Sequence, residues 1–157
     1  MFNLTGKKAL ITGASKGIGR AIALTLADQG VNLIIAARSG DELEQLSLEI
    51  KAKGVDCAYI TADLAKFNDV TALAKQALEI YPVLDILVNN AGVSHPETAL
   101  ATGEANWDHT FDINVKAAFF LSQQIVSGMI EQNWGRIINL SSQAGLIALE
   151  DHAAYCA

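Results

Sequence analysis

The stretch that decides the fold is Lys8-Ala9-Leu10-Ile11-Thr12-Gly13-Ala14-Ser15-Lys16-Gly17-Ile18-Gly19. An apolar run, Lys8–Thr12, passes into three glycines spaced Gly-x-x-x-Gly-x-Gly. From Ile18 onward Ile18, Ile22 and Leu26 recur at helical spacing until Gly30 stops the pattern. Glycines at such a junction let the backbone turn tightly and approach a pyrophosphate. The open N–H groups and the dipole of the following helix stabilise its negative charge. A glycine triplet can also be a bare structural turn. Between a buried strand and a helix, Gly13, Ser15, Lys16, Gly17, Ile18 and Gly19 read as a dinucleotide-binding turn.

Outward from that turn, short β-rich runs alternate with helical stretches. Val31–Ala37, Asp56–Ala62, Leu84–Asn89 and Arg136–Ser141 are expected strands. Ile18–Gln29, Asp41–Lys53, Asn68–Ile80 and one long stretch, Glu104–Gln132, are expected helices, with Asn68 as an N-cap. Leu43, Leu46 and Ile50 mark one face of the second helix, which Gly54 closes. The strands lack polar alternation, as expected where both faces are covered. Strand–helix alternation of this kind, with right-handed crossovers, predicts an α/β fold: a doubly wound, Rossmann-like parallel sheet of order 3-2-1-4-5 in a single domain. There is no internal repeat, low-complexity tract or linker, and Pro82 and Pro96 fall in loops.

Composition narrows the function. The 157 residues are 51% apolar and 18% charged, enough for one packed core. A net charge of -6 argues against nucleic acid or an anionic membrane as partner, since both need a basic face. No metal site is expected. Cys57 and Cys156 lie in no CxxC pattern, and His95, His109 and His152 are scattered without HExxH spacing. The amino-terminal residues lead into the first strand without a secretory apolar region, and no apolar run is long enough to span a bilayer. A cytoplasmic location with two reduced thiols is the default expectation.

The end of the second strand carries the next decision. A site for NAD places a carboxylate there, bonded to the adenosine ribose. Here the strand ends Ala36-Ala37-Arg38-Ser39, with no carboxylate before Asp41. Arg38 offers a fork of donors suited to a 2′-phosphate, Ser39 a hydroxyl, and Lys16 a second positive charge. The cofactor expected is therefore NADP(H), the alternative being that Arg38 is a solvated cation.

Together with Asn89-Asn90-Ala91-Gly92, Asn114, Asn139-Leu140-Ser141-Ser142 and Tyr155, these residues resemble the short-chain dehydrogenase/reductase family along the whole chain. The resemblance implies that Asp63, in Ala62-Asp63-Leu64, bonds the adenine amino group, and that Asn90, Ala91 and Gly92 sit against the cofactor. It implies catalytic roles for Asn114, Ser142 and Tyr155. Asn114 would distort its helix and hold a water of a proton relay, and Tyr155 would be the acid/base. Ser142, 13 residues before Tyr155, fits the family spacing, whereas Ser141 does not. The residue types suit carbonyl–alcohol interconversion: a hydroxyl donor faces the charge developing on oxygen, and a phenol moves the proton. The implied cofactor is NADP(H), the partner a small-molecule substrate, and the assembly a homo-oligomer, a tetramer, formed partly through Glu104–Gln132.

In the family a lysine four residues after the tyrosine supplies a cation that favours the phenolate. This sequence reads Tyr155-Cys156-Ala157. The expectation is a chain cut short of a longer protein, with its last strands missing, the fifth strand left as an apolar edge, and little turnover by itself. Gln143, Glu150 and His152 could bond substrate hydroxyls, which points to a polyol, sugar or hydroxy acid, and 3-oxoacyl thioesters stay open. His95 is equally ambiguous. Two other functions remain: a nonenzymatic NADP(H)-binding regulator or scaffold, and an NAD-preferring polyol dehydrogenase.

Overall fold

The computed structural model describes residues 3–157; Met1 and Phe2, the start of the amino-terminal segment read above, lie outside the described residues. Five parallel strands form one sheet: β1 (Lys8–Thr12), β2 (Asn32–Ala37), β3 (Cys57–Thr61), β4 (Ile86–Asn89) and β5 (Arg136–Asn139), in the order β3-β2-β1-β4-β5. The order is the one expected. In register, Ile11 pairs with Ile35 on one side and Val88 on the other.

The apolar strands divide their side chains between two cores. Leu10, Ile34 and Leu87 point to one face, where α3 (Phe67–Ile80) and α5 (Ala118–Glu131) cover them with Leu73, Leu121 and Ile125. Ile11, Ile35 and Val88 point to the other, covered by α1 (Gly17–Asp28) and α2 (Gly40–Lys51) with Ala23, Leu43 and Ile50. Burial on both faces is the physical reason these strands show no polar alternation. On α1 the buried residues are Gly19, Ala23 and Ala27, spaced by four. This small-residue stripe lets the helix lie close to the sheet.

Several expected boundaries move. α3 begins at Phe67 with Lys66 as its N-cap, so Asn68 is not the cap. Phe67, already in the first helical position, packs its ring edge-on against Phe120, with centroids 5.0 Å apart. The long stretch expected over Glu104–Gln132 is not one uniform helix. It divides into α4 (Glu104–Phe111), a π-helical turn (Asp112–Ala117) and α5. The expected strands also shorten at their ends: β5 stops at Asn139, and its four residues are all exposed. Beyond it come a 3₁₀ turn (Gln143–Gly145) and a short α6 (Ala153–Cys156).

At the amino-terminal edge of the sheet, Asp85 is buried and fully engaged. It accepts from Lys7 Nζ at 3.0 Å, the Lys8 amide at 2.9 Å and Gln132 at 3.3 Å. A buried carboxylate needs such partners, and here they tie β1, β4 and the end of α5 together at the edge away from the glycine turn.

Candidate functional site

Where β2 and β3 lie to one side of β1 and β4 and β5 to the other, the connections leaving β1 and β4 run to opposite faces of the sheet. In open parallel sheets this is where a crevice forms. A cleft of about 340 Å³ lies there.

Its floor is a junction of backbone and two polar side chains. Thr12, 1% exposed, ends β1. Its hydroxyl donates to the Val88 carbonyl at 3.3 Å and accepts from the Asn90 and Ala91 amides, each at 3.1 Å. That uses one donor and two lone pairs, the full capacity of a hydroxyl. Asn90 returns the contact: its Nδ2 donates to the Thr12 and Gly13 carbonyls at 2.9 and 3.1 Å. β1 and β4 are thereby locked together at the point where both chains turn.

The glycines are required by this packing. Gly13 has φ of 63° and Gly17 of 56°, both in the left-handed region. A Cβ on Gly13 would stand 2.8 Å from Ala91 Cα. One on Gly19 would collide with the Gly13 carbonyl oxygen and lie 2.5 Å from Asn90 Nδ2. The turn is thus packed directly against the end of β4, with no room for a side chain at either position. Above it α1 begins at an N-cap, Lys16, with extended backbone and no side-chain cap bond.

One wall is the end of β2. Arg38 and Ser39 are exposed there and line the cleft with Lys16. The ion pairs among the described residues involve Lys7, Arg20, Lys53, Lys66, Lys75 and Lys116. Arg38 and Lys16 therefore face the cleft without a carboxylate partner. The other wall holds Asp63 and Leu64. The Asp63 carboxylate accepts from the Ala65 amide at 3.3 Å and lies 3.6 Å from Lys66 Nζ.

The model of the family described as short chain dehydrogenase matches residues 7–157. The chain belongs to the short-chain dehydrogenase family. It is 42% identical over 152 residues to the 3-oxoacyl-[acyl-carrier-protein] reductase FabG of Staphylococcus aureus, covering 96% of this chain and 62% of that protein. It is 35% identical over 156 residues to the NAD-dependent glycerol dehydrogenase of Listeria innocua, covering 99% and 60%. A metagenomic short-chain oxidoreductase solved in complex with NADP superposes with a TM-score of 0.93 at 36% identity, over 99% of this chain and 71% of that one. The chain thus spans about three-fifths of the length of those two sequence relatives.

Within this short-chain dehydrogenase frame, the cleft brings together Gly13, Ser15, Lys16, Ile18, Arg38, Ser39, Asp63, Leu64, Asn90, Ala91 and Gly92. Gly17 and Gly19 do not line it; they shape the turn from beneath. Asn114, Ser142 and Tyr155 do not line it either. Asn114 sits in the π-helical turn, one residue past the cleft-lining Ile113. Its side chain pairs with both ends of one residue, accepting from the Val93 amide at 2.9 Å and donating to the Val93 carbonyl at 2.8 Å. Ser142 caps the 3₁₀ turn, its Oγ accepting from the Ala144 amide at 3.2 Å. Tyr155 is half-buried on α6, which packs against α4 and that 3₁₀ turn.

Among the residues considered for substrate hydroxyls, Gln143 and Glu150 are exposed, and His152 Nδ1 lies 2.6 Å from the Glu150 carbonyl. The His95 ring lies tilted against that of His109, with centroids 5.3 Å apart. Sequence reasoning missed Thr12, Val93 and Ile113. A polar residue ending an apolar strand was the one available signal for Thr12, while Val93 and Ile113 carried none.

Proposed function

We propose that the cleft binds a nicotinamide dinucleotide, NADP(H) in preference to NAD(H), and that the chain supplies the cofactor-binding part of an oxidoreductase acting on a carbonyl or secondary alcohol of a small molecule. The observation that carries the reading is the cleft over the glycine turn, with Arg38 and Lys16 lining it and unpaired among the described residues. Backbone N–H groups at the start of α1 suit a pyrophosphate, and a guanidinium fork suits a 2′-phosphate. The residues present therefore fit the group. The bound nicotinamide would supply or accept the hydride.

The chain's own residues would do the rest. Gly13, Ser15, Lys16 and Ile18 hold the diphosphate, with Gly17 and Gly19 setting the turn. Arg38 and Ser39 meet the adenosine ribose, Asp63 and Leu64 the base, and Asn90, Ala91 and Gly92 the inner half of the dinucleotide. The Ser142 hydroxyl donates to the substrate oxygen, Tyr155 moves the proton, and Asn114 fixes the segment after Gly92 and holds a relay water. The FabG relative favours a 3-oxoacyl thioester among the substrates open from sequence.

A second reading keeps the site and reverses its preference: an NAD-preferring polyol dehydrogenase, favoured by the name of the glycerol dehydrogenase relative. Titration of the chain with NADPH and NADH separates the two. We expect NADPH to bind at least about tenfold more tightly, the scale of one charge-assisted phosphate contact. Equal NADH binding overturns the NADP(H) preference, tighter NADH binding favours the second reading, and binding of neither ends both.

The exposed side chains of Trp107, Val115 and Phe119 on α4, the π-helical turn and α5 support self-association of the full protein, a tetramer by resemblance. The free thiols of Cys57 and Cys156 fit a reducing compartment such as the cytoplasm. Among the described residues no helix is long and apolar enough to cross a membrane.

A further inference from the structure

Asp69 lies in the first turn of α3, and its carboxylate reaches backward out of the helix to accept from the Asp63 amide at 3.0 Å. An acid in this position ordinarily serves its own helix, bonding back to the cap residue. Here the N-cap is Lys66, and it has no side-chain cap bond.

The bond it makes instead falls at a particular peptide. β3 ends at Thr61, and the Ala62 amide makes the last link to β2, donating to the Ala37 carbonyl at 3.0 Å. The Asp63 amide is the first N–H beyond the sheet, and Asp63 and Leu64 form a wall of the cleft. Asp69 is half-buried and does not line the cleft, so any influence on a ligand passes through Asp63. The Asp63 carbonyl is held by the Lys66 amide at 2.9 Å and its Oδ1 by the Ala65 amide. Without Asp69, residue 63 would be anchored only through its own carbonyl and side chain, and the Ala62–Asp63 peptide N–H would lose its partner.

We propose that Asp69 is a positioning residue of the cleft: through the Asp63 amide its carboxylate fixes the Asp63–Leu64 wall that meets the base of the bound dinucleotide. The assignment rests on the dinucleotide reading above. A helix N-terminus stabilises the charge of Asp69, and a charged acceptor makes the stronger hydrogen bond.

The test compares the 157-residue chain with Asp69→Ala, Asp69→Asn and Asp69→Ser. Asn keeps an acceptor oxygen at the same reach. Ser keeps a polar group at the helix start but is too short to touch Asp63. NADPH titration and residue-resolved amide exchange by NMR are the readouts. We expect the Ala and Ser variants to lose protection at the Asp63 amide while β1 and β4 amides stay protected. Their NADPH affinity should fall about tenfold, the scale of one hydrogen bond to a charged group. Asp69→Asn should stay within about threefold of the parent on the same scale.

Should the Ala variant fail to fold, Ser and Asn carry the comparison. Unchanged affinity in Ser, or an equal loss in Ser and Asn, overturns the assignment while leaving the dinucleotide reading standing. A parent chain that binds no NADPH overturns both.

Discussion

Gly19 and Asn90 share one space: the Asn90 side-chain amide, bonded to the Thr12 and Gly13 carbonyls, stands 2.5 Å from where a Cβ on Gly19 would be. The first turn of α1 can lie against the end of β4 only because position 19 has no side chain. Gly19→Ala must push Asn90 off those carbonyls or lift α1 from the sheet. We expect a loss of about 1–3 kcal/mol of stability, the usual range for overpacking, with NADPH binding abolished. Gly17→Ala is the control, since nothing lies within 4 Å of its added Cβ and its cost is confined to a φ of 56°. That cost is about 1–2 kcal/mol, and Asn90 should stay in place. Urea denaturation and NADPH titration of the two variants check the contrast.

Arg38 offers the second prediction. It is exposed at the end of β2 and unpaired among the described residues, so on the proposed function its replacement would remove a phosphate contact without breaking a structural bond. Arg38→Ala should weaken NADPH by about tenfold or more while NADH changes by less than about twofold, because the lost contact is with the extra phosphate alone. The melting temperature should be unchanged. A parallel loss for both nucleotides would mean that Arg38 acts on a part common to them.

The contrast between Gly19 and Arg38 on one side and Asn114 on the other shows what the sequence could and could not disclose. The doubly wound sheet and the glycine turn at its cleft followed from apolar runs and glycine spacing, because both are local patterns with one good structural solution, whereas Asp63, Leu64, Asn90, Ala91 and Gly92 came from the family resemblance. The π-helical turn left no such trace: a single wider turn barely disturbs a 3.6-residue repeat. The Asn114–Val93 pair joins residues 21 apart across two elements, and Thr12 is satisfied by residues near position 90. Neither partner can be read before the strands are in place. Nor could the sequence show that Phe67 already lies within α3, against Phe120 of another helix, which puts Asn68 inside the helix rather than at its cap.

The two cysteines should differ sharply in reactivity. Cys57 is buried on β3, and burial pushes its thiol up from the usual range; the Ser47 hydroxyl and Lys51 oppose this only partly. A raised thiol holds less thiolate at any given pH, and the thiolate is the nucleophile. Cys156 is partly exposed on α6. Iodoacetamide at pH 8, followed by peptide mass spectrometry, should label Cys156 at least about tenfold faster than Cys57. Comparable rates would show that α2 does not cover β3 as described.

The helical layer carries the last prediction. Trp107, Phe111, Val115 and Phe119 follow one another at four-residue spacing, and Trp107, Val115 and Phe119 are 43%, 55% and 61% exposed. Trp107 and Phe111 already stack, with centroids 4.4 Å apart. Residues four apart drift around a 3.6-residue helix, but here the wider π-helical turn lies between Phe111 and Phe119 and counteracts the drift. We expect these side chains to lie along one apolar ridge, of a kind that marks an association surface when it is continuous. Phe119→Glu places a charge on that ridge without touching the cleft. Sedimentation velocity across a concentration series should show the parent chain self-associating and the variant shifted to the smaller species. Stability should change by no more than about 0.5 kcal/mol, as for other surface substitutions, and NADPH affinity should be retained. A parent chain that stays monomeric throughout, or a variant with the same sedimentation profile, would rule this ridge out as the contact.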